Sequence, residues 1–309
     1  MDKKTERLVD VARMYYEQDR TQSEIADQYG ISRPMVSKLL KEARDKGIVT
    51  IRISAPQEES GGALSLMELV GRCFGIYDGV AVPDGPNDQT TNEAVAEAAI
   101  SYLSGLGGTG LGIGWGHIIG DVVKHMEQRE TLVPIGTFVC PLIGNGGVGL
   151  KNYHSNELVR SIAEHSGAQP RFIYSPACVL SEQELKLTRE LDSYHEIYHV
   201  WEKLDVALVN IGNFPSVPDF ASEARYGDLL IRQKAVGRIL NYFMDSQGHI
   251  IRSDTDYAIQ IPLELLTRTR HVVGICSANT SPKAFRGALK TGYLKHFIAP
   301  EHVVREALE

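Results

Sequence analysis

Short apolar runs alternate with helical stretches over most of this chain, and that alternation restricts the fold more than any other feature. From residue 79 onward the runs are GVAVP, TGLGIG, TFVCPLIG, RFIY, LDVALVNIG, HVVGICS and HFIAP, each with a helical segment nearby. Strands that are apolar along their whole length are buried on both faces, which is typical of a parallel sheet covered by helices. The sequence therefore predicts a large α/β domain with a Rossmann-like, doubly wound sheet.

The 309 residues, 43% of them hydrophobic, suffice for one large domain together with a small one. No apolar run approaches the roughly 20 residues that cross a bilayer, and the first fifteen residues carry charges throughout. We therefore expect a soluble, cytoplasmic protein without an export signal. The cysteines form no CxxC pair, which favours neither a thiolate metal site nor a disulfide framework. They are Cys73, Cys140, Cys178 and Cys276.

Residues 1–53 are predicted to form three helices and a strand. The apolar stripe over 4–18 indicates the first helix, and T-Q-S-E, beginning at Thr21, is the capping-box pattern that starts the second. Gly30 ends that helix, and Ser32 can cap a third helix with Pro34 in its first turn.

Gly47 is predicted to end the third helix, and IVTIRI alternates as a strand. The polar segment SAPQEESGG, residues 54–62, is predicted to be a linker. The expected domains are therefore a small winged helix-turn-helix at 1–53 and a large domain at 63–309.

Charge is distributed unevenly along the chain. The net charge is −7, yet residues 1–53 hold eleven Lys/Arg against nine Asp/Glu, so this segment is at +2 and the remainder at −9. A local basic patch matters more for DNA binding than the sum over the whole chain.

Residues 22–41, QSEIADQYGISRPMVSKLLK, fit a helix-turn-helix. Ala26 is small where the helices touch, Gly30 lies at the tight turn, and Val36 packs six residues later. The alternative is a plain three-helix bundle used for protein contacts. With DNA as partner, Arg33 and Ser37 are expected to reach base edges and Lys41 to reach phosphate. The full set of DNA-binding candidates is Thr21, Gln22, Ser32, Arg33, Pro34, Met35, Ser37, Lys38, Lys41 and Arg44.

The segment TGLGIGWGHIIGDVVKHM runs from a strand through a glycine-rich turn into a helix. Such a turn directs backbone N–H groups at an anion or a sugar hydroxyl, although its glycines can also serve only to make a tight turn. The nearby GLGGTG satisfies G-x-G-x-x-G but precedes a strand instead of following one, so no nicotinamide cofactor is expected.

HEIYH, residues 195–199, has the histidine spacing of zinc proteases. Glu202 occupies the position where a glycine would turn the chain toward a third histidine, and no His lies between His199 and His249. The helix Tyr194 to Lys203 leads directly into LDVALVNIG. We therefore interpret the motif as an ordinary helix-to-strand connection and predict no metal site.

Several phrases together resemble the SorC-type sugar-binding transcriptional regulators. They are YYEQDRTQSEIADQYGISRPMVSKLLKEARDKGIVTI, GIGWG, VCPLIGNGG, YHSNELV, LDVALVNIG, YFMDSQGHI and GICSANTSPKAFRGALKTGYL. The resemblance implies an effector domain similar to glucosamine-6-phosphate deaminase and ribose-5-phosphate isomerase. It also implies control of a carbohydrate operon, with double-stranded operator DNA and a sugar, polyol or sugar-phosphate effector as partners and no cofactor.

Carried over by motif, the resemblance implies an effector pocket at the carboxyl ends of the strands. The residues are Gly114, Trp115, Gly116, His117, Gly144, Asn145, His154, Asn156, Asp245 and Lys283. This chain departs from the family where Gly114 replaces a Ser, Ile118 stands where many relatives have Thr, and Asn210 replaces a Gly. The lost hydroxyls favour an unphosphorylated sugar or polyol.

The main alternative is a sugar-phosphate isomerase or deaminase on the same fold. Such chemistry needs a general base and acid, and neither GIGWGH nor VCPLIGNGG contains Asp or Glu. Asp121 on the following helix is expected to be solvated, so no catalytic residue is predicted. A pure protein-interaction module would leave the pocket motifs unexplained. Two-fold symmetric operators favour a dimer or tetramer, and the resemblance implies a homotetramer under allosteric control.

Overall fold

The computed structural model describes residues 3–16, 18, 20–45, 48–49, 65–147, 149, 151–216 and 225–309. The chain divides into two compact units, Met1–Ala63 and Leu64–Glu309. None of the described helices combines the length and the apolar character that a bilayer crossing requires.

The first unit contains the helices α1 (Lys3–Tyr16), α2 (Gln22–Tyr29) and α3 (Arg33–Asp45). The predicted capping box at Thr21 is confirmed: the Glu24 amide donates to the Thr21 hydroxyl over 3.3 Å, and the Thr21 amide donates to the Glu24 carboxylate over 2.8 Å. Gly30 ends α2 in the left-handed conformation at φ 61°, which glycine adopts without steric cost.

A small apolar core holds these three helices together, and it includes Ala26 and Val36, which were predicted to pack where the helices touch. Its buried members are Val11, Ile25, Ala26, Val36 and Leu40. Of the predicted strand IVTIRI, only Ile48 and Val49 are described, and neither is in a strand. The predicted linker at 54–62 and the domain boundaries beside it lie outside the described residues.

The second unit alternates helices and strands. Its helices are α4 (Leu66–Phe74), α5 (Asp88–Leu106), α6 (His117–Glu127), α7 (Ser155–Ser166), α8 (Glu182–Glu190), α9 (Asp192–Trp201), α10 (Leu229–Arg232), α11 (Leu263–Arg268), α12 (Pro282–Lys290) and α13 (Glu301–Leu308). Its strands are β1 (Gly79–Val82), β2 (Gly110–Ile113), β3 (Phe138–Pro141), β4 (Gln169–Pro170), β5 (Val206–Asn213), β6 (Gly237–Ile239), β7 (Tyr242–Met244), β8 (His271–Ile275) and β9 (His296–Pro300). A 3-10 turn covers Lys151–Tyr153.

The main sheet is parallel, with strand order β1-β9-β8-β5-β2-β3-β4. The chain proceeds from β2 to β3 and β4, then crosses to the other side of β2 for β5 and continues to β8 and β9. The strand order therefore reverses between β2 and β5. Open α/β sheets bind ligands in the crevice at the carboxyl ends of the strands beside such a reversal.

The apolar runs form the sheet because their side chains fill both faces of it. All residues of β9 and four of the five in β8 are buried. In β2 the side chains of neighbouring strands cover the glycines: a Cβ on Gly110 would lie 2.1 Å from the Phe138 ring, and one on Gly112 would lie 2.4 Å from Leu142. The predicted doubly wound α/β fold is confirmed.

Two details of the sheet differ from the prediction. RFIY, residues 171–174, is not a strand; β4 is only the preceding two residues. In this segment the Asn156 side chain takes the place of a neighbouring strand's hydrogen bonds. It accepts from the Ile173 backbone amide over 3.0 Å and donates to the Ile173 backbone carbonyl over 2.9 Å. The antiparallel pairs β5–β6 and β6–β7 were not predicted.

Candidate functional sites

The recognition-helix candidates lie on the surface of the first unit. Arg33, Ser37 and Lys41 follow one another at four-residue spacing along α3 and are exposed, so they share one helix face. The other exposed candidates are Thr21, Ser32, Pro34, Met35 and Lys38. Gln22 is half-buried, and the side chain of Arg44 lies outside the described residues.

A cleft of about 550 Å³ lies beside this face. It is lined by Tyr15, Tyr16, Arg20, Thr21, Gln22, Ser23 and Arg33. The Arg20 guanidinium donates to Gln28, in the last turn of α2, over 2.7 Å. Guanidinium and phenol groups are suited to contact phosphate. Tyr15, Tyr16 and Arg20 were not among the predicted DNA-binding residues.

In the second unit, the glycine-rich loop joins β2 to α6 at the strand-order reversal. Gly116 is the N-cap of α6 at φ 116°, and no side chain caps the helix. The Gly114 amide donates to the Leu208 carbonyl over 2.8 Å, and the Gly116 amide donates to the Asn152 carbonyl over 2.9 Å. The loop is therefore fixed by backbone bonds, while the first N–H groups of α6 remain available for an anion or a hydroxyl oxygen.

Asn210, the last residue of β5 that pairs with β8, packs its side chain against this loop. A Cβ added to Gly114 would lie 3.4 Å from its Oδ1, and one added to Gly116 would lie 3.3 Å from its Nδ2. The Oδ1 atom is buried and has no hydrogen-bond partner. An unpaired buried acceptor costs about 1–3 kcal/mol, so this oxygen beside the glycine loop is a candidate partner for a polar ligand or a water molecule.

Aromatic residues form the floor of the crevice. Trp115 is 1% exposed and is part of the main core. Its ring meets the Tyr153 ring edge to face with centroids 5.8 Å apart, and the exposed His117 meets the same ring at 5.6 Å. Trp115 thus supports the site from below, whereas His117 begins α6 and faces solvent.

The loop after β3 contributes Gly144 and Asn145, and α7 contributes His154 and Asn156. The side-chain amide of Asn156 is hydrogen-bonded to the backbone of Ile173. The Asn145 side-chain oxygen accepts from the Asn156 backbone amide over 3.3 Å. These two predicted pocket side chains therefore hold neighbouring loops together. His154 is the half-buried N-cap residue of α7, with no side-chain cap bond.

The last two predicted pocket residues lie apart from these contacts. Lys283 is exposed at the second position of α12. The Asp245 carboxylate accepts from the backbone amides of Gln247 over 2.8 Å and His249 over 3.0 Å, so it closes its own turn.

Comparisons with known proteins agree with this architecture. Residues 59–309 match a family model described as "Putative sugar-binding domain", and residues 5–46 match one described as "Sigma-70, region 4". The sorbitol operon regulator of Klebsiella pneumoniae is 31% identical over 300 residues, which cover 93% of this chain and 92% of that protein. The crystal structure of the full-length regulator SorC from the same organism superposes with a TM-score of 0.72 at 27% identity and covers 100% of both chains.

This chain belongs to the SorC family of sugar-binding transcriptional regulators. The deoxyribonucleoside regulator of Bacillus subtilis is also similar, at 27% identity over 317 residues, covering 99% of this chain and 98% of that protein. The SorC-family chain is thus a DNA-binding regulator with a sugar-binding domain, and the alternative of an isomerase or deaminase is not supported.

The structure adds buried polar residues to the crevice of this SorC-family chain that sequence reasoning missed. Arg238 on β6 is buried and packs along Gly212. Burial raises the pKa of the Tyr153 phenol, and the Arg238 charge opposes that rise. The β6–β7 hairpin carries this residue and had no recognisable strand pattern. Only the phrase YFMDSQGHI, singled out for the resemblance, marked the region.

The HEIYH helix of the SorC-family protein is α9. Ile197 and Trp201 are buried against the sheet, whereas His195 and His199 are exposed. The His199 imidazole lies 2.8 Å from the Glu202 carboxylate. Among the described residues, no three His, Cys, Asp or Glu side chains are grouped so that they could hold a metal ion.

Asp121 differs from its prediction. It was expected to be solvated, but it is half-buried on α6, and burial raises the pKa of its carboxyl group while His125 opposes that rise.

Proposed function

We propose that this regulator controls a carbohydrate-utilisation operon in the cytoplasm and that an effector bound beside the GIGWG loop and Asn210 sets its affinity for operator DNA. The observation that carries this assignment is the buried, unpaired Asn210 Oδ1 beside the uncapped start of α6. A hydroxyl group can donate to Asn210 and accept from the α6 N–H groups at once. An effector that binds two states of the protein with different affinities would change the population of these states and thereby the affinity for DNA.

The effector class that we propose is a sugar or polyol, free or phosphorylated. Two relatives are named sorbitol operon regulator and deoxyribonucleoside regulator, which supports small polyhydroxy compounds as effectors. Gly114 and Ile118 supply no hydroxyl to the loop, which favours the free compound. Arg238 and the start of α6 offer positive charge, which favours a phosphate.

A thermal-shift comparison of free and phosphorylated compounds tests this assignment. The panel is D-sorbitol, D-ribose and 2-deoxy-D-ribose, each with its terminal phosphate. A ligand at about 100 times its Kd stabilises the native state by roughly 2.7 kcal/mol. A matching change in operator binding is expected with the same compound. If no panel compound shifts either measurement, the assignment of this effector class is wrong.

For DNA, we propose that Arg33 and Ser37 contact base edges and that Lys41 contacts phosphate. Arg33→Ala should remove most of the preference for operator over random DNA, because a bidentate base contact discriminates by about 1–3 kcal/mol. Lys41→Ala should weaken both DNAs equally and reduce the salt slope by about 1. Gel-shift titrations over a salt series measure both. Equal loss of operator and random binding in both variants would contradict this division.

We further propose that the protein acts as a homo-oligomer, a tetramer or a dimer. α8 buries none of its residues and carries the exposed Leu187, with Leu191 directly after it. α8 carries charges of both signs around these leucines, and Lys186 pairs with Glu182 over 2.7 Å. Nearby, a groove of about 590 Å³ contains apolar surface together with Arg171 and Lys203. The exposed apolar surfaces of α8 and the groove support a contact between two copies of this chain.

A further inference from the structure

A polar cluster lies around the tip of the β6–β7 hairpin. The Arg225 guanidinium donates from Nε to the Asp256 carboxylate over 2.9 Å, and the Tyr226 hydroxyl donates to the same carboxylate over 2.6 Å. Arg225 Nη2 donates to the backbone carbonyl of Asn241 over 3.3 Å, and the backbone amide of Asn241 donates to Gln260 Oε1 over 2.9 Å. The cluster is held together by these bonds, and its one cation is paired with its one anion.

Three polar atoms of this cluster nevertheless have no hydrogen-bond partner. Arg225 Nη1 and both side-chain amide atoms of Asn241 are buried without a hydrogen-bond partner. Asn241 is 0% exposed and Arg225 is 2% exposed, so bulk solvent does not satisfy them. Buried polar groups in native proteins are almost always paired. A group of unpaired donors and an acceptor on two touching residues therefore calls for an external partner.

The cluster borders the effector crevice. Leu240, which precedes Asn241 at the hairpin tip, approaches the glycine loop: a Cβ on Gly114 would lie 2.9 Å from its Cδ2. On the other side, Gln260 pairs with Ile143, immediately before the predicted pocket residue Gly144. The hairpin tip thus stands between the loop after β2 and the loop after β3.

We propose that Asn241 and Arg225 bind adjacent hydroxyl groups of the effector and thereby select polyhydroxy compounds. This inference rests on the proposed function and assigns the hydroxyl-reading wall of the same site. The Asn241 amide offers donors and an acceptor side by side, which matches two neighbouring hydroxyls. Since Asp256 already neutralises Arg225, this wall favours uncharged hydroxyl groups over a phosphate. A deoxy compound that lacks one of these hydroxyls leaves a buried polar atom unpaired and is discriminated against.

The test compares two identical substitutions in the full-length protein. Asn241→Leu removes unpaired polar atoms and keeps the number and branching of side-chain heavy atoms, so its thermal stability should equal or exceed that of the wild type. Asn213→Leu is the matched control, because both amide atoms of Asn213 are paired, with Asn279 O at 2.9 Å and Ser281 N at 2.7 Å. The control should lose stability.

Binding is measured by isothermal titration calorimetry with the panel compounds D-sorbitol, D-ribose, 2-deoxy-D-ribose and their terminal phosphates. Asn241→Leu should weaken the tightest-binding compound at least tenfold and reduce the preference for ribose over deoxyribose. If Asn241→Leu does not fold, Asn241→Ser should show the same loss of affinity.

Two results would overturn the inference alone. In one, the wild type binds a panel compound and Asn241→Leu binds it with unchanged Kd. In the other, Asn241→Leu loses as much stability as Asn213→Leu, which would mean that ordered water makes Asn241 a structural residue. A wild type that binds no panel compound and whose operator affinity does not respond would overturn the proposed function, and the inference with it.

Discussion

At the scale of single residues, the Asp205 carboxylate fastens the start of β5 to the start of β2. Its Oδ2 accepts from the Thr109 amide at 2.7 Å, the Thr109 hydroxyl at 2.6 Å and the Gly110 amide at 3.3 Å. The Thr109 hydroxyl, and then the Thr109 amide, lower the Asp205 pKa from its ordinary value of 3.8. Asp205→Asn should lower the free energy of unfolding at neutral pH by about 1.5–3 kcal/mol, the range for hydrogen bonds to a charged group.

The pH dependence follows from the direction of this shift. Because the folded-state pKa of Asp205 is depressed, its contribution is complete above the unfolded pKa of 3.8 and is lost as the pH falls through the lower folded value. The unfolding curves of wild type and Asp205→Asn should therefore converge below about pH 4. Asp254→Asn, at an exposed carboxylate, is the control. A difference between wild type and Asp205→Asn that stays constant into acid would contradict this account.

Sequence motifs selected residues near the crevice more reliably than they assigned roles to side chains. GIGWG pointed to the loop beside Asn210, but Asn156 is used on Ile173 and Asp245 on its own turn. A motif fixes which residues lie at a strand end. Whether a side chain faces the ligand or the neighbouring loop depends on segments far away in sequence, and here the 171–174 segment takes up the Asn156 amide.

At the scale of elements, Gly144 allows the loop after β3 to touch the 175–179 segment. A Cβ at this position would lie 2.2 Å from the Pro176 carbonyl oxygen, and backbone cannot move aside cheaply. Gly144→Ala should lower the free energy of unfolding by about 1–3 kcal/mol, as overpacking does.

Gly147 in the same loop provides the matched control, because a Cβ there would meet nothing within 4 Å. Gly147→Ala should stay within about 0.5 kcal/mol of the wild type. Urea unfolding of both variants measures the difference. Equal stability of the two variants would show that the loop relaxes around Gly144.

Periodicity predicted the buried parallel strands well and the edge elements poorly. Central strands such as β8 are apolar throughout because both faces are covered. RFIY is also apolar, yet it follows the edge strand, where the Asn156 side chain takes the place of a neighbouring strand. The β6–β7 hairpin has three-residue strands, too short for an alternation to be visible.

At the scale of the whole chain, the order of apolar runs was enough to predict the doubly wound sheet, and the turn spacing was enough to predict the helix-turn-helix. The strand-order reversal between β2 and β5 depends on pairing between distant segments, so no local pattern reveals it. That reversal places Asn210 beside the GIGWG loop. The crevice is therefore a product of topology, and its unpaired polar atoms became visible only in the folded chain.

The proposed association of two copies is a property of the whole molecule, and it rests on the exposed surface of α8. Leu187 on α8 is 56% exposed, and Leu191, which joins α8 to α9, is 51% exposed. The double substitution Leu187→Glu with Leu191→Glu should shift the protein toward monomers, because it puts two charges into an apolar contact. Sedimentation velocity at micromolar concentration measures the shift. Leu132→Glu, at a leucine that is 63% exposed elsewhere on the same unit, should leave the association unchanged.

Operator binding distinguishes the loss of this interface from a loss of folding. A two-fold symmetric site binds a dimer through both recognition helices, so dissociation should weaken binding to a full operator much more than binding to a half-site. The α8 variant should retain wild-type thermal stability of the effector domain and its half-site affinity. A wild type that sediments as a monomer, or an α8 variant with wild-type association, would assign the exposed leucines to something other than contact between copies.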